Sequence, residues 1–314
     1  MRRCPITYEA ITDDENYSQR GLHGLSPQLK QLASLEMSAA EQQQEAIARA
    51  GKMSVQGVQT KLSAQLKVKE GRFELVDQNG HYILKPPSLH YPELPENEAI
   101  TMTLAKMIGL EVPVHGLLYA KEKQMTYFIK RFDRAGHRQK FAVEDFAQLL
   151  GEDRHTKYDS SMEKVASVIT RFCTFPKIEL FKLFKLTLFN FLVGNEDMHL
   201  KNFSLITRNQ MVSLSPAYDL LNTTIAQTNT REELALPLHG KKNNLQFRDF
   251  IDYYAKEKLG LNQNVIQEVL EMIQQTLPEW QNKILQSFLS PAMQKKYLDL
   301  LETRCQRLHL KTPT

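Results

Sequence analysis

The 314-residue sequence predicts an α+β chain in two lobes, a sheet-rich lobe over residues 1–135 and a larger, mainly helical lobe over 136–314. Three observations carry that reading. Leu62, Ala64, Leu66 and Val68 alternate with Ser63, Gln65 and Lys67, the period of a half-buried strand. Shorter runs of the same kind recur as far as Phe132. After Asp133 the apolar spacing is mostly helical to the end, led by 178–193, which is apolar on nearly every side.

The elements follow in order. Leu29, Leu32 and Leu35 stand at helical spacing and predict a helical lead-in over 26–50. Glu70-Gly71 turns the chain after the first strand, 72–76 returns, and 82–85 makes a third strand ended by Pro86-Pro87. A helix is expected over 98–110, and strands over 116–120 and 125–132. In the second lobe, 178–193 reads as a helix buried in a large core. It is too short for a bilayer, which needs about 20 apolar residues, and Lys182 and Lys185 interrupt it. Gly194 follows, where a left-handed cap is sterically free. Residues 203–206 and 211–214 then pair through Arg208-Asn209-Gln210.

Between that helix and that hairpin lies Asp197-Met-His-Leu-Lys-Asn202, with Asp219 seventeen residues further on. An Asp, an Asn five positions later, and a second Asp beyond a hairpin is the order in which protein-kinase-type sites supply their polar groups. The first Asp orients the attacking hydroxyl, and the Asn and second Asp hold Mg²⁺ on the ATP phosphates. A polar turn whose Asp and Asn satisfy backbone donors is the alternative for the loop taken alone.

Two features of the first lobe suit a nucleotide. Ser54-Val-Gln-Gly-Val-Gln-Thr-Lys61 has one glycine where backbone can approach phosphate, although it is neither a Walker A loop nor GxGxxG. Lys61 is either a phosphate contact or a solvated strand-end lysine. Lys85 sits on a strand between apolar neighbours, where a charge is costly unless paired. Glu98 on the next helix is the expected partner, with Glu96 in competition and helix initiation as the alternative role for 97–98.

Composition bounds the rest. The net charge of +4 is dispersed, which argues against a nucleic-acid arm. Three scattered cysteines, Cys4, Cys173 and Cys305, give no disulfide framework and point to a reducing cytoplasm, with Cys173 buried and inert. No signal core or membrane span is legible, and no second His or Cys stands at ligand spacing from His199. The basic stretch 304–311 reads as a solvated helix face.

The motifs together resemble the HipA-like serine/threonine kinases, toxins of bacterial toxin–antitoxin systems. They are the 54–61 loop, Asn97-Glu-Ala, Phe128-Ile-Lys-Arg-Phe-Asp-Arg134, Glu144-Asp-Phe146, Gly194-Asn-Glu-Asp-Met-His-Leu-Lys-Asn202, Ser215-Pro-Ala-Tyr-Asp219 and Leu236-Pro-Leu-His-Gly-Lys241. They run collinearly from about residue 50 to the C-terminus. HipA begins with an additional N-terminal subdomain of roughly a hundred residues. This chain is expected to lack it, as the short HipT-type members do.

The resemblance implies a bilobal HipA/protein-kinase-like fold using ATP and Mg²⁺. Carried over by position, Asp197 is catalytic, His199 and Lys201 position phosphate and loop, and Asn202 and Asp219 are Mg²⁺ ligands. Ser54, Val55, Gln56, Gly57, Lys61, Lys85 and Glu98 serve the ATP phosphates, and the backbone of Phe128, Ile129 and Lys130 meets adenine. Ser54 matches an autophosphorylated serine that switches the kinase off. Gln56 stands where some relatives carry a second such serine, and Asp219 is followed by Leu-Leu, so no DFG motif is present.

The implied substrate is an aminoacyl-tRNA synthetase, tryptophanyl- favoured and glutamyl- possible, so that phosphorylation arrests translation and growth. The implied partners are a small HipS-like protein supplying the missing subdomain and a HipB-like DNA-binding antitoxin, with DNA met only through the latter and no membrane. An inactive kinase-fold binding module and a small-molecule kinase are the competing function classes. The first would be expected to lose one of Asp197, Asn202 or Asp219.

Overall fold

A computed structural model describes residues 2–49, 60–88, 90–136, 139–152, 157–227 and 232–311. The chain divides into two compact units. The first comprises 1–100, 113–138 and 285–290, and the second 101–112, 139–284 and 291–314.

The first unit is built on a five-stranded antiparallel sheet of β1 (Leu62–Lys67), β2 (Arg72–Leu75), β3 (Tyr82–Lys85), β4 (His115–Tyr119) and β5 (Met125–Lys130), in the order β2-β1-β3-β5-β4. Pairing Leu62 with Leu84 and Leu84 with Phe128 puts these side chains on one face. There they join Phe73, Tyr82 and Leu118 in the core. Phe73 meets Tyr82 at 5.0 Å and Phe128 at 5.5 Å between ring centroids.

The lead-in departs from expectation. Helices form at α1 (Gln19–Leu25) and α2 (Ala39–Arg49), but 26–38 is not helical. Leu29, Leu32 and Leu35 are nonetheless buried in the same core. The Ala33 amide bonds the Gly71 carbonyl at 2.7 Å, and the Leu35 amide bonds Tyr119 at 2.8 Å. An extended strap whose backbone is satisfied by the sheet buries the same leucines as a helix would.

Helix α3 (Leu94–Met107) contributes its first turns, to Ile100, to this unit and its remainder to the second.

The second unit surrounds α4 (Pro176–Val193), whose Leu183, Phe184, Leu188, Phe189, Phe191, Leu192 and Val193 are all fully buried. Pro176 stands in its first turn, where a missing amide hydrogen is harmless. Gly194 ends it at φ 67°, and the Gly194 amide bonds back to Asn190 and Phe191. Trp280, on the long helix Gln263–Leu285, packs edge-on against Phe189 and donates to the Leu104 carbonyl at 3.1 Å.

The expected hairpin forms as β7 (Ser204–Arg208) and β8 (Met211–Leu214), turning through Asn209 and Gln210, both at positive φ. A third strand, β6 (Ala142–Asp145), joins it with Asp145 opposite Ser204, so the region after 133 is less helical than its spacing suggests. Glu179 of α4 is buried and accepts the Leu214 amide at 3.0 Å, fixing β8 to the helix.

The basic C-terminal segment is not a solvated face. Arg304 and Arg307 both reach buried Glu233, and Arg304 lies 4.6 Å over the Phe191 ring. Cys305 and Leu308 are buried beside them. Cys173 is buried as expected, and burial pushes its thiol up to about 12. Among the described residues no helix is long and apolar enough to cross a membrane.

Candidate active site

In the second unit, the turn after α4 and the segment around Asp219 are fastened to each other. Thr223 and Thr224 donate to the Gly194 carbonyl, each at 3.1 Å, and Thr223 Oγ1 accepts the Glu196 amide at 2.7 Å. Asn222 caps the short helix Thr223–Ala226 that carries both threonines. Asn190 and Asn195, joined at 3.0 Å, continue this brace, and the Asn195 oxygen takes the Asp197 amide at 3.3 Å.

The loop itself is ordered from inside. Asn202 Nδ2 donates to the Asp197 carbonyl at 2.8 Å, and the Asn202 amide donates to His199 at 2.9 Å. With its nitrogen committed, Asn202 keeps the carboxamide oxygen as its remaining hard ligand atom. Asp219 adopts φ 59°, a left-handed conformation Asp tolerates better than most residues. Beside it, Tyr218 donates to the Lys201 carbonyl at 2.9 Å, which anchors the Asp219 segment to the loop. Burial pushes the Tyr218 phenol well above its ordinary range, so it remains a donor.

His199 is buried between opposing influences. Burial holds its pKa below the ordinary histidine value, and Lys157 acts in the same direction, while the charges of Asp197 and Asp219 oppose the shift. Asp197 Oδ1 lies 3.9 Å from His199 Nε2. Lys157 Nζ lies 2.8 Å from His199 Nε2, the geometry of an ammonium donating to a neutral ring. Asp197 is half exposed, and Tyr158 donates to its Oδ1 at 2.5 Å.

The first unit holds the second group of expected residues. Lys85 and Glu98 meet at 2.5 Å and are 3% and 0% exposed. Lys85 Nζ also lies 5.6 Å from the Tyr127 ring centroid. Glu98, not Glu96, is thus the lysine's partner. Lys61 stands half-buried just before β1. Ser54, Val55, Gln56 and Gly57 lie outside the described residues.

Phe128, Ile129 and Lys130, expected to meet adenine, end a strand of the sheet. They lie in β5, between β3 and β4, with Phe128 opposite both Leu84 and Gly116. The Lys130 amide is bonded to Val114 at 2.7 Å. The chain leaves the sheet only after Lys130, where Arg131 grips Asp133 through two bonds of 2.9 and 2.7 Å.

Sequence reasoning missed Lys157, Tyr158 and the Asn222-Thr-Thr brace. The last had a legible signal, an Asn N-cap after the second Asp. Tyr158 is 39 residues from Asp197 and had none.

A family model described as "HipA-like C-terminal domain" matches residues 53–280. The chain belongs to the HipA-like family. A Haemophilus influenzae protein named "Putative kinase" is 30% identical over 345 residues, covering 99% of this chain and 97% of that protein. The Shewanella oneidensis serine/threonine-protein kinase toxin HipA is 27% identical over 249 residues, 73% of this chain and 56% of the toxin. The structure of that organism's HipA, HipB and operator DNA complex includes a chain matching with a TM-score of 0.67 at 24% identity, over 89% of this chain and 72% of that one. The Helicobacter pylori proinflammatory kinase CtkA matches with a TM-score of 0.53 at 16% identity, over 76% and 89%. The α+β fold is therefore the one HipA and CtkA share.

Proposed function

We propose that this HipA-like protein is an ATP-dependent serine/threonine protein kinase that serves as the toxin of a toxin–antitoxin system. The observation that carries the reading is the ordered loop in which Asn202 holds the Asp197 carbonyl while Tyr218, next to Asp219, is bonded to the Lys201 carbonyl. Two protein oxygens, from Asn202 and Asp219, suit Mg²⁺, which retains several waters and binds mainly through phosphates. When bound, the ion neutralises charge on the transferred phosphoryl group.

Asp197, exposed enough to receive a substrate, accepts the proton of the acceptor hydroxyl. Asn202 and Asp219 hold the metal. Lys85, fixed by Glu98, contacts the ATP phosphates. Neutral His199 and Lys201 keep the loop in register. Ser54, Val55, Gln56, Gly57 and Lys61 serve the ATP phosphates, with Ser54 as an autophosphorylation site whose charge lowers ATP affinity.

The acceptor is an aminoacyl-tRNA synthetase, tryptophanyl- before glutamyl-, and the partners are a HipB-like DNA-binding antitoxin and a small HipS-like protein. The complex of the Shewanella relative with HipB and operator DNA supports the antitoxin assignment. The test is phosphopeptide mass spectrometry of a bacterial lysate incubated with ATP and either the native protein or Asp197→Ala. A synthetase peptide phosphorylated only with the native protein is expected. Identical phosphopeptide maps would overturn the reading. Phosphate on Ser54 of the native protein but not of Asp197→Ala tests the switch independently.

A further inference from the structure

Tyr158 occupies the position in which a kinase base receives its substrate. Its Oη donates to Asp197 Oδ1 at 2.5 Å, and it is 37% exposed. A hydroxyl in hydrogen-bond contact with the general base is the first geometric requirement for an acceptor. The ring is fixed by an edge-on contact with His199, with centroids 5.1 Å apart and planes at 88°. Lys157 Nζ lies 4.8 Å from the Tyr158 ring centroid and Lys242 Nζ lies 6.0 Å from it. Lys157 is bonded to His199 at 2.8 Å and Lys242 is paired with Glu232 at 3.2 Å, so a phosphate on the ring would compete with those partners for two nearby ammonium groups. Burial, reinforced by Asp197, holds the phenol well above its ordinary pKa, so the hydroxyl keeps its proton until a base removes it.

We propose that Tyr158 is an intramolecular phosphoryl acceptor, modified by the active site of its own chain. The proposal rests on the kinase reading above. In the step, Asp197 takes the phenolic proton while the tyrosine oxygen bonds the terminal phosphorus of ATP. The bond from that phosphorus to its bridging oxygen breaks, and ADP leaves with the electron pair. The product carries about −1.5 to −2 charge and has no hydroxyl hydrogen to donate. It is repelled by the Asp197 carboxylate and drawn to Lys157 and Lys242. Asp197 is then open to an external hydroxyl, so modification of Tyr158 precedes work on a protein substrate.

The experiment uses the full chain freed of phosphate, incubated with Mg-ATP, with phosphopeptides mapped and ADP measured in the same samples. Asp197→Asn removes the base with little change of shape, and Tyr158→Phe keeps the ring contacts while removing the hydroxyl. Phosphotyrosine at 158 is expected in the native chain and lost in both variants. The rate per molecule should not change on dilution, as an intramolecular reaction requires. ADP, or phosphate on serine and threonine, without phosphate on Tyr158 would overturn the proposal and leave the kinase reading standing. Phosphotyrosine persisting in Asp197→Asn, or a rate that rises with protein concentration, would also overturn it. If neither ADP nor any phosphopeptide forms, the kinase reading itself fails and the proposal falls with it.

Discussion

Lys85 on β3 and Glu98 on α3 form an ion pair of 2.5 Å that is almost wholly buried. A pair so enclosed contributes little net stability, because desolvating both charges offsets most of their attraction.

That balance separates stability from function. Glu98→Leu strands a buried ammonium and should destabilise the protein by about 3–5 kcal/mol. The double variant Lys85→Met/Glu98→Leu replaces the pair by apolar side chains and should recover most of that loss. Neither should bind Mg-ATP with native affinity. Urea unfolding and titration calorimetry on both variants check this, and a double variant that binds ATP normally would remove Lys85 from the site.

The loop residues divide differently. Asp197→Ala and Asp219→Ala should each abolish phosphoryl transfer while leaving the fold intact, since both carboxylates are at least partly exposed. Asp219→Ala should also weaken Mg²⁺-dependent ATP binding, and Asp197→Ala should largely spare it. Asn202→Asp keeps a hard oxygen but turns a second acceptor toward the Asp197 carbonyl, so it should disorder the loop and lower the rate. Transfer assays beside nucleotide titrations distinguish these outcomes. Autophosphorylation surviving in Asp197→Ala would contradict its role as base.

What the sequence displayed was whatever a local pattern can encode. The alternation from Leu62, the all-apolar helix ending at Gly194, and the hairpin at Asn209-Gln210 each follow from neighbours within a few residues. The lead-in misled because i, i+3 leucines can also be buried by an extended strap, and only the amide bonds to Gly71 and Tyr119 decide between the two. Strand β6 is recognisable only by its partner β7, which lies about sixty residues on in the chain. Arg304 and Arg307 looked solvated because buried Glu233 lies far upstream. At the site, the Asp–Asn–Asp spacing was visible, and the partners that orient it from Lys157, Tyr158 and Thr223 were not.

Glu96 supplies a pH dependence. Burial, with Glu93 adding repulsion, raises its carboxyl from the ordinary 4.5 to about 7. A folded-state pKa above the unfolded value means that the native state holds the proton more tightly. Its stabilising contribution is therefore complete below about 4.5 and is lost as pH rises through about 7. Glu96→Gln mimics the protonated form, so it should match the native protein near pH 4.5 and exceed its stability above pH 7. Denaturant midpoints measured across that range check the sign. A variant less stable than the native chain at high pH would show that the ionised carboxylate has a partner worth more than its burial.

Gly194, in the turn that leads to Asp197, has no room for a side chain. At φ 67° a side chain there is strained, by about 1–2 kcal/mol for the left-handed conformation alone. A Cβ would also lie 2.5 Å from Leu300 Cδ2 and 2.6 Å from Thr224 Oγ1. Those contacts require packed groups to move, which adds about 1–3 kcal/mol. Thr224 is one of the residues holding the Gly194 carbonyl, so its displacement reaches the loop through Glu196 as well. Gly194→Ala should therefore destabilise the protein and reduce phosphoryl transfer together. Thr224→Val, which keeps the bulk and removes the hydroxyl bonds, should lose less stability and still slow transfer. Thermal unfolding of both variants beside their transfer rates tests the coupling. Native rates in a folded Thr224→Val protein would show that the brace supports the fold without setting the position of Asp197.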